Sequence, residues 1–156
     1  MTANASNDPS PVPTGHVLLC YASPYGGDRL LSKVAALCEE REARLSVLLP
    51  VIDEAPPRAC CGIQGEQWGR LVDEDARDAL RQAARRLTDL GVDPERLVLE
   101  AGPSIPEVVE RAAAQWGCTI VAAARKRRPW SGGLSRRQLT ALRRDVGREL
   151  VELSDA

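Results

Sequence analysis

Residues 104–125 read SIPEVVERAAAQWGCTIVAAAR, and the succession of signals in that stretch decides the fold. Ser104 is a candidate N-cap, because its hydroxyl can accept a hydrogen bond from an otherwise unpaired N–H of the first helical turn. Pro106 falls in that turn, where a missing N–H costs nothing, and Glu107 stands three residues after the cap. Val108, Val109, Ala112 and Trp116 then recur at helical spacing and predict one buried stripe. Cys118–Ala124 (CTIVAAA) follows as a short apolar run of small residues, which reads as a narrow strand. A capped helix leading into a buried strand is half of a β-α-β unit.

The same alternation extends in both directions. Upstream, Arg96–Glu100 (RLVLE) reads as a strand ending at Ala101-Gly102. Leu71, Leu80, Ala83, Ala84, Leu87 and Leu90 predict an amphipathic helix over 71–90, with Gly91 placed to end it. The stretch 53–69 is rich in Pro, Gly and Cys and is expected to be a long loop. Arg44–Ile52 (RLSVLLPVI) and His16–Ala22 (HVLLCYA) are nearly continuous apolar runs, as strands buried on both faces require. Between them Leu30, Leu31, Val34, Leu37 and Cys38 share a helix face. Downstream, Ser135 is expected to cap a last helix reaching Val146, and Arg148–Leu153 (RELVEL) alternates in polarity like an edge strand. The order β-α-β-α-β-α-β-α-β calls for a mostly parallel sheet with helices on both faces. Ligands of such sheets sit beyond the carboxyl ends of the strands, which directs attention to 22–28 and 125–135.

A chain of 156 residues, 44% hydrophobic and 28% charged, is long enough for one domain with a real core. Aromatic residues make up 3% and Phe is absent, so that core must be aliphatic. No apolar run approaches the roughly 20 residues that span a bilayer, and no membrane role is expected. Residues 1–14 carry three prolines but neither a basic start nor an apolar stretch, and are expected to be a flexible tail rather than a signal peptide. The expected location is therefore the cytoplasm, with reduced thiols. Five cysteines show no CxxC spacing and the chain has a single His, so no metal site is expected. Cys20, Cys38 and Cys118 fall in apolar patterns, while Cys60 and Cys61 stand adjacent in the long loop.

Charge is divided unevenly. Between Arg125 and Arg148 nine basic residues face the single acid Asp145, a local +8 within a total of −1, which leaves −9 for the rest. That division concerns partners, not fold. Ser131, Gly132 and Gly133 form a turn before the Ser135 cap, with Arg125, Lys126, Arg127 and Arg128 upstream, a composition suited to an anion. On the last helix Arg136 lies in one row with Arg143, and Arg137 with Arg144, beside the stripe of Leu139, Leu142 and Val146. Trp130 adds a stacking face, so a nucleic acid or other polyanion is an alternative reader of this surface, though nucleic acid is not the expected one. Acidic residues of the preceding long helix (Asp73, Glu74, Asp75, Asp78) are candidates to offset the charge. Catalysis finds no support: Ser23 has no second His to activate it, and His16 suits a structural role. Ala22-Ser23 and Glu100-Ala101-Gly102 also lack the acids of a response-regulator phosphoacceptor site.

The β-α order, the long loop after the second strand, the segment CTIVAAARK and the layout of SIPEVVERAAAQWGCTIVAAAR together resemble the universal stress protein (UspA-like) family over roughly 16–153. The resemblance implies an open five-stranded, mostly parallel, Rossmann-like sheet of order 3-2-1-4-5, occupying 15–154 behind the tail. It also implies dimers, here through the C-terminal strand, and a stress-associated role as a binding module. The family's ATP-binding branch carries an Asp ending the first strand and a Gly-x2-Gly-x9-Gly-Ser/Thr loop after the fourth. Ala22 stands at the Asp position, and Ala123 and Lys126 at the first two glycines, with Arg125 between. Gly133 and Ser135 lie near the last pair without matching it cleanly. A side chain at Lys126 fills space that the glycine leaves to phosphate. The expected ligand-binding residues are Ala22, Ser23, Arg125, Lys126, Ser131, Gly132, Gly133 and Ser135, taking an anionic small molecule. ATP or another nucleotide is the alternative, and no cofactor is expected.

Overall fold

The computed structural model describes residues 15–21, 27–52, 65–125 and 133–153, with side chains left aside at 27–28 and 65–73. Nine elements alternate: β1 (Gly15–Cys20), α1 (Gly27–Arg41), β2 (Ala43–Ile52), α2 (Gly65–Asp89), β3 (Arg96–Gly102), α3 (Ile105–Trp116), β4 (Ile120–Ala124), α4 (Arg136–Asp145) and β5 (Glu149–Leu153). The strands form one sheet in the order β3-β2-β1-β4-β5, with every neighbouring pair parallel.

Side-chain alternation divides the core into two layers. Val17, Leu19, Leu45, Val47, Ile120 and Ala122 face α1 and α2, where Leu31, Val34, Ala83 and Leu87 meet them. Leu18, Cys20, Leu48, Val121 and Ala123 face α3 and α4, against Val108, Ala112, Leu139 and Leu142. Strands buried on both faces explain the unbroken apolar runs of β1, β2 and β4. The alanines of β4 are all buried, so helices on either side approach it closely.

Local chemistry agrees with the elements. Ser104 caps α3, its Oγ accepting the Glu107 N–H at 3.3 Å. Gly117, at φ 68°, ends it in the left-handed conformation that glycine adopts without strain, its N–H bonding the Ala113 carbonyl. Cys118 also gives its N–H to Ala113, at 2.9 Å, and β4 therefore begins at Ile120 rather than at Cys118.

Three further expectations need correction. α2 begins at Gly65, so 65–69 belong to a helix and not to the loop. Gly65 and Gly69 each cost a helix about 1 kcal/mol and mimic a loop signal, which the long helix behind them overrides. Leu90 is 46% exposed rather than part of the buried stripe. It follows the last helical residue, and Val92, whose N–H returns to the Leu87 carbonyl at 2.8 Å, packs on the core instead. β1 closes at Cys20, and Ala22 lies outside the described residues.

Candidate anion site at the carboxyl edge

The winding reverses between β1, which leads outward to β2 and β3, and β4, which leads to β5. Parallel register places Cys20 beside Ala123, so the carboxyl ends of β1 and β4 meet at that reversal. In β2 the Leu48 carbonyl accepts the Tyr21 N–H at 2.8 Å, whereas the Leu45 carbonyl accepts from Glu95 on the other side. Pro50 belongs with Leu48 to the set turned toward β1, and the β1–β2 register ends at Cys20↔Leu48. Among the described residues this ladder has ended before Pro50, so its missing N–H interrupts no pairing there.

Past β4, Arg125 and Leu134 stand next to each other. Those two residues form a parallel bridge, with the Leu134 N–H on the Ala124 carbonyl at 2.8 Å. Leu134 is buried in the α3/α4 layer, an anchor just ahead of α4. Gly133 just before it has φ 113°, a conformation that requires glycine or strains any other residue. Ser135 then starts α4 with a full capping box. Its Oγ accepts the Gln138 N–H at 3.1 Å, and its own N–H donates to Gln138 Oε1 at 2.9 Å.

The structure thus brings Arg125, Gly133 and Ser135 to one edge, beside the end of β1. Ala22, Ser23, Lys126, Ser131 and Gly132 lie outside the described residues, as do Arg127, Arg128 and Trp130. Gln138 escaped the sequence reading, although an amide three residues after a Ser cap is its signal. That box occupies two of the N–H groups a bound anion would otherwise use, so positive side chains must contribute the rest.

The arginines fall into two groups. Arg143 is held by Glu152 at 2.7 Å and Arg144 by Asp145 at 3.0 Å. Arg148 is half-buried, donating to the Cys118 carbonyl at 2.7 Å and to that of Val146 at 3.0 Å. Arg125, Arg136 and Arg137 are exposed and form no ion pair among the described residues. Among the described residues, the unpaired charge of the basic segment therefore lies at the amino end of α4, by the sheet edge, rather than along its length. Of the α2 acids, Asp78 pairs with Arg81 on its own helix and the Asp73 side chain lies outside the described residues; the acids that pair with α4 are Glu152 and Asp145.

Other candidate groups are structural. His16 is 2% exposed, its Nε2 2.7 Å from Ser46 Oγ at the opposite, amino end of the sheet. Burial pushes the Cys20 thiol up to about 12, and Cys38 and Cys118 to about 11, so all three stay protonated and unreactive. Cys60 and Cys61 lie outside the described residues. No group of three or more His, Cys, Asp or Glu side chains capable of holding a metal occurs among the described residues. No helix among them is long and apolar enough to cross a membrane.

No protein-family model matches the chain, and no curated protein matches it. Solved structures do. A universal stress protein family member from Burkholderia pseudomallei superposes with a TM-score of 0.68 at 19% identity, covering 92% of this chain and 98% of that one. UspA from Lactobacillus plantarum gives 0.65 at 14% identity, over 92% and 99%. The universal stress protein from Archaeoglobus fulgidus, solved in complex with dAMP, gives 0.60 at 10% identity, over 90% and 98%. At such identities the likeness is one of fold: this chain has the universal stress protein fold.

Proposed function

We propose that this chain, having the fold of the universal stress proteins, is a stress-associated binding or interaction module that takes an anionic small ligand at the β1–β4 edge without the family's usual ATP grip. One observation carries the reading. The edge where open α/β sheets receive ligands is flanked by three exposed arginines that no acid among the described residues neutralises, while their neighbours on α4 are tied down. Against ordinary ATP binding stand Ala22, Ala123 and Lys126 at positions where the ATP branch uses an Asp and two glycines. Ala123 lies within β4 and is fully buried. The test is to heat-release any co-purified nucleotide for chromatography and to titrate the protein with ATP in a calorimeter. The expected result is no nucleotide and no micromolar ATP binding; a micromolar dissociation constant would overturn the proposal.

A second reading is a nucleotide-binding protein with an atypical phosphate loop. The relative from Archaeoglobus fulgidus, solved with dAMP, favours it through the shared fold. The same titration separates the two. Polyanion binding through the basic surface would appear instead as RNA or DNA affinity falling steeply with salt.

A further inference from the structure

His16 is the chain's only histidine, and it stands at a joint rather than on a surface. Its carbonyl accepts the Thr119 N–H at 2.9 Å and its own N–H donates to Thr119 Oγ1 at 3.1 Å, which fastens β1 to the turn between α3 and β4. Its ring, 2% exposed, reaches across to Ser46 Oγ of β2, itself fully buried, at 2.7 Å. Nδ1 is buried with no hydrogen-bond partner among the described residues.

A neutral ring fits this place and a protonated one does not. An imidazolium has two N–H donors and needs two acceptors; Ser46 Oγ can serve Nε2, but among the described residues no acceptor lies at bonding distance from Nδ1, the Trp116 carbonyl acting on it from farther off. Arg44 of β2 and Arg96 of β3 bear on the ring with like charge, and the Trp116 carbonyl ending α3 bears on it favourably. Glu95, before β3, is the one carboxylate facing it among the described residues, 3.9 Å from Nε2 and itself engaged by Arg44 at 3.3 Å. Behind the turn lie the neutral Cys118 thiol and Arg148, which is held by the Cys118 carbonyl.

We propose that His16 is an acid-responsive latch: proton uptake at the buried, unpartnered Nδ1 places a charge beside Arg44 and Arg96, draws the ring toward Glu95 and loosens the joint between β1 and the α3–β4 turn. Burial first, then the Arg44 charge, holds the ring below the ordinary histidine range, against the opposing pull of Glu95. The stability that the neutral ring confers is therefore complete above about pH 6.5, the value in the unfolded chain, and is lost as pH falls from there toward the lower folded value.

A single histidine gives a single imidazole signal in NMR, so its titration is read without assignment. In the full chain that midpoint should lie below the ordinary value. E95Q should shift it further down and R44Q should shift it up; both positions are exposed, so both variants should fold. Exchange of the Thr119 amide, corrected for the intrinsic effect of pH, should accelerate as pH falls from about 6.5 toward that midpoint and level off below it, while the amide of Leu87 in α2 should not respond. H16Q should abolish that acceleration. An imidazole titrating at or above the ordinary value, shifts of the opposite sign in E95Q and R44Q, or Thr119 exchange indifferent to the midpoint would each overturn the latch.

Discussion

Arg125 and Leu134 lie side by side in a parallel bridge, closed by the Leu134 N–H on the Ala124 carbonyl at 2.8 Å. The bridge sets Arg125 next to the residues that open α4, at the carboxyl end of β4. If that point receives anions, sulfate or phosphate should raise the melting temperature above its value in chloride at equal ionic strength, because only the native state binds. Replacing Arg125, Arg136 and Arg137 together by Ala should remove the difference, and R143A with R144A should leave it. Equal melting in the two salts would reduce the basic segment to a solvated face.

The capping box at Ser135 carries the entry into α4. S135A should lower stability by about 1 kcal/mol, as loss of a Ser cap commonly does, with the denaturant slope unchanged. Urea titration followed by circular dichroism reads both quantities. A loss well under half that size would mean that the Leu134 anchor alone sets the helix start.

Gly102 has no room for a side chain. A Cβ built there would clash with Val108 Cγ2. G102A should cost roughly 1–3 kcal/mol by overpacking. Combining it with V108A should restore part of that loss, a favourable coupling visible in a double-mutant cycle. Simple additivity would show that the backbone of β3 gives way instead.

Glu42 takes a left-handed conformation, φ 51°, between α1 and β2. Side chains pay roughly 1–2 kcal/mol there, whereas glycine pays only its extra unfolded-state entropy. E42G should be neutral or stabilising by up to about 1 kcal/mol in the same urea experiment. Destabilisation would mean that the carboxylate makes a contribution outweighing the strain.

β5 closes one end of the sheet order, with β4 its strand neighbour. Both faces of its side chains are engaged: Arg41 of α1 clamps Glu149 through two bonds of 2.6 and 3.0 Å, and Arg143 of α4 holds Glu152. The outer backbone edge is what remains for another chain, and such edges pair readily. We expect a two-fold dimer through it, measured as a concentration-dependent mass in light scattering. A constant mass near the 16.9 kDa of one chain would count against it.

The order of elements, the aliphatic core and both helix caps were legible in the chain because each is a local matter of spacing and capping chemistry. Strand order 3-2-1-4-5 was available only through resemblance, since apolar runs do not say which of them are neighbours. The start of α2 was hidden by Gly65 and Gly69, whose local preference a long helix outweighs. At the candidate site, the cluster of cations was plain from composition. What they do was not: one-dimensional rows put Arg136 with Arg143, yet Glu152, nine residues on, returns beside α4 only when β5 joins β4. Burial of His16 against Ser46 is of the same kind. Thirty residues separate them in sequence, and only the parallel pairing of β1 with β2 closes that distance to 2.7 Å.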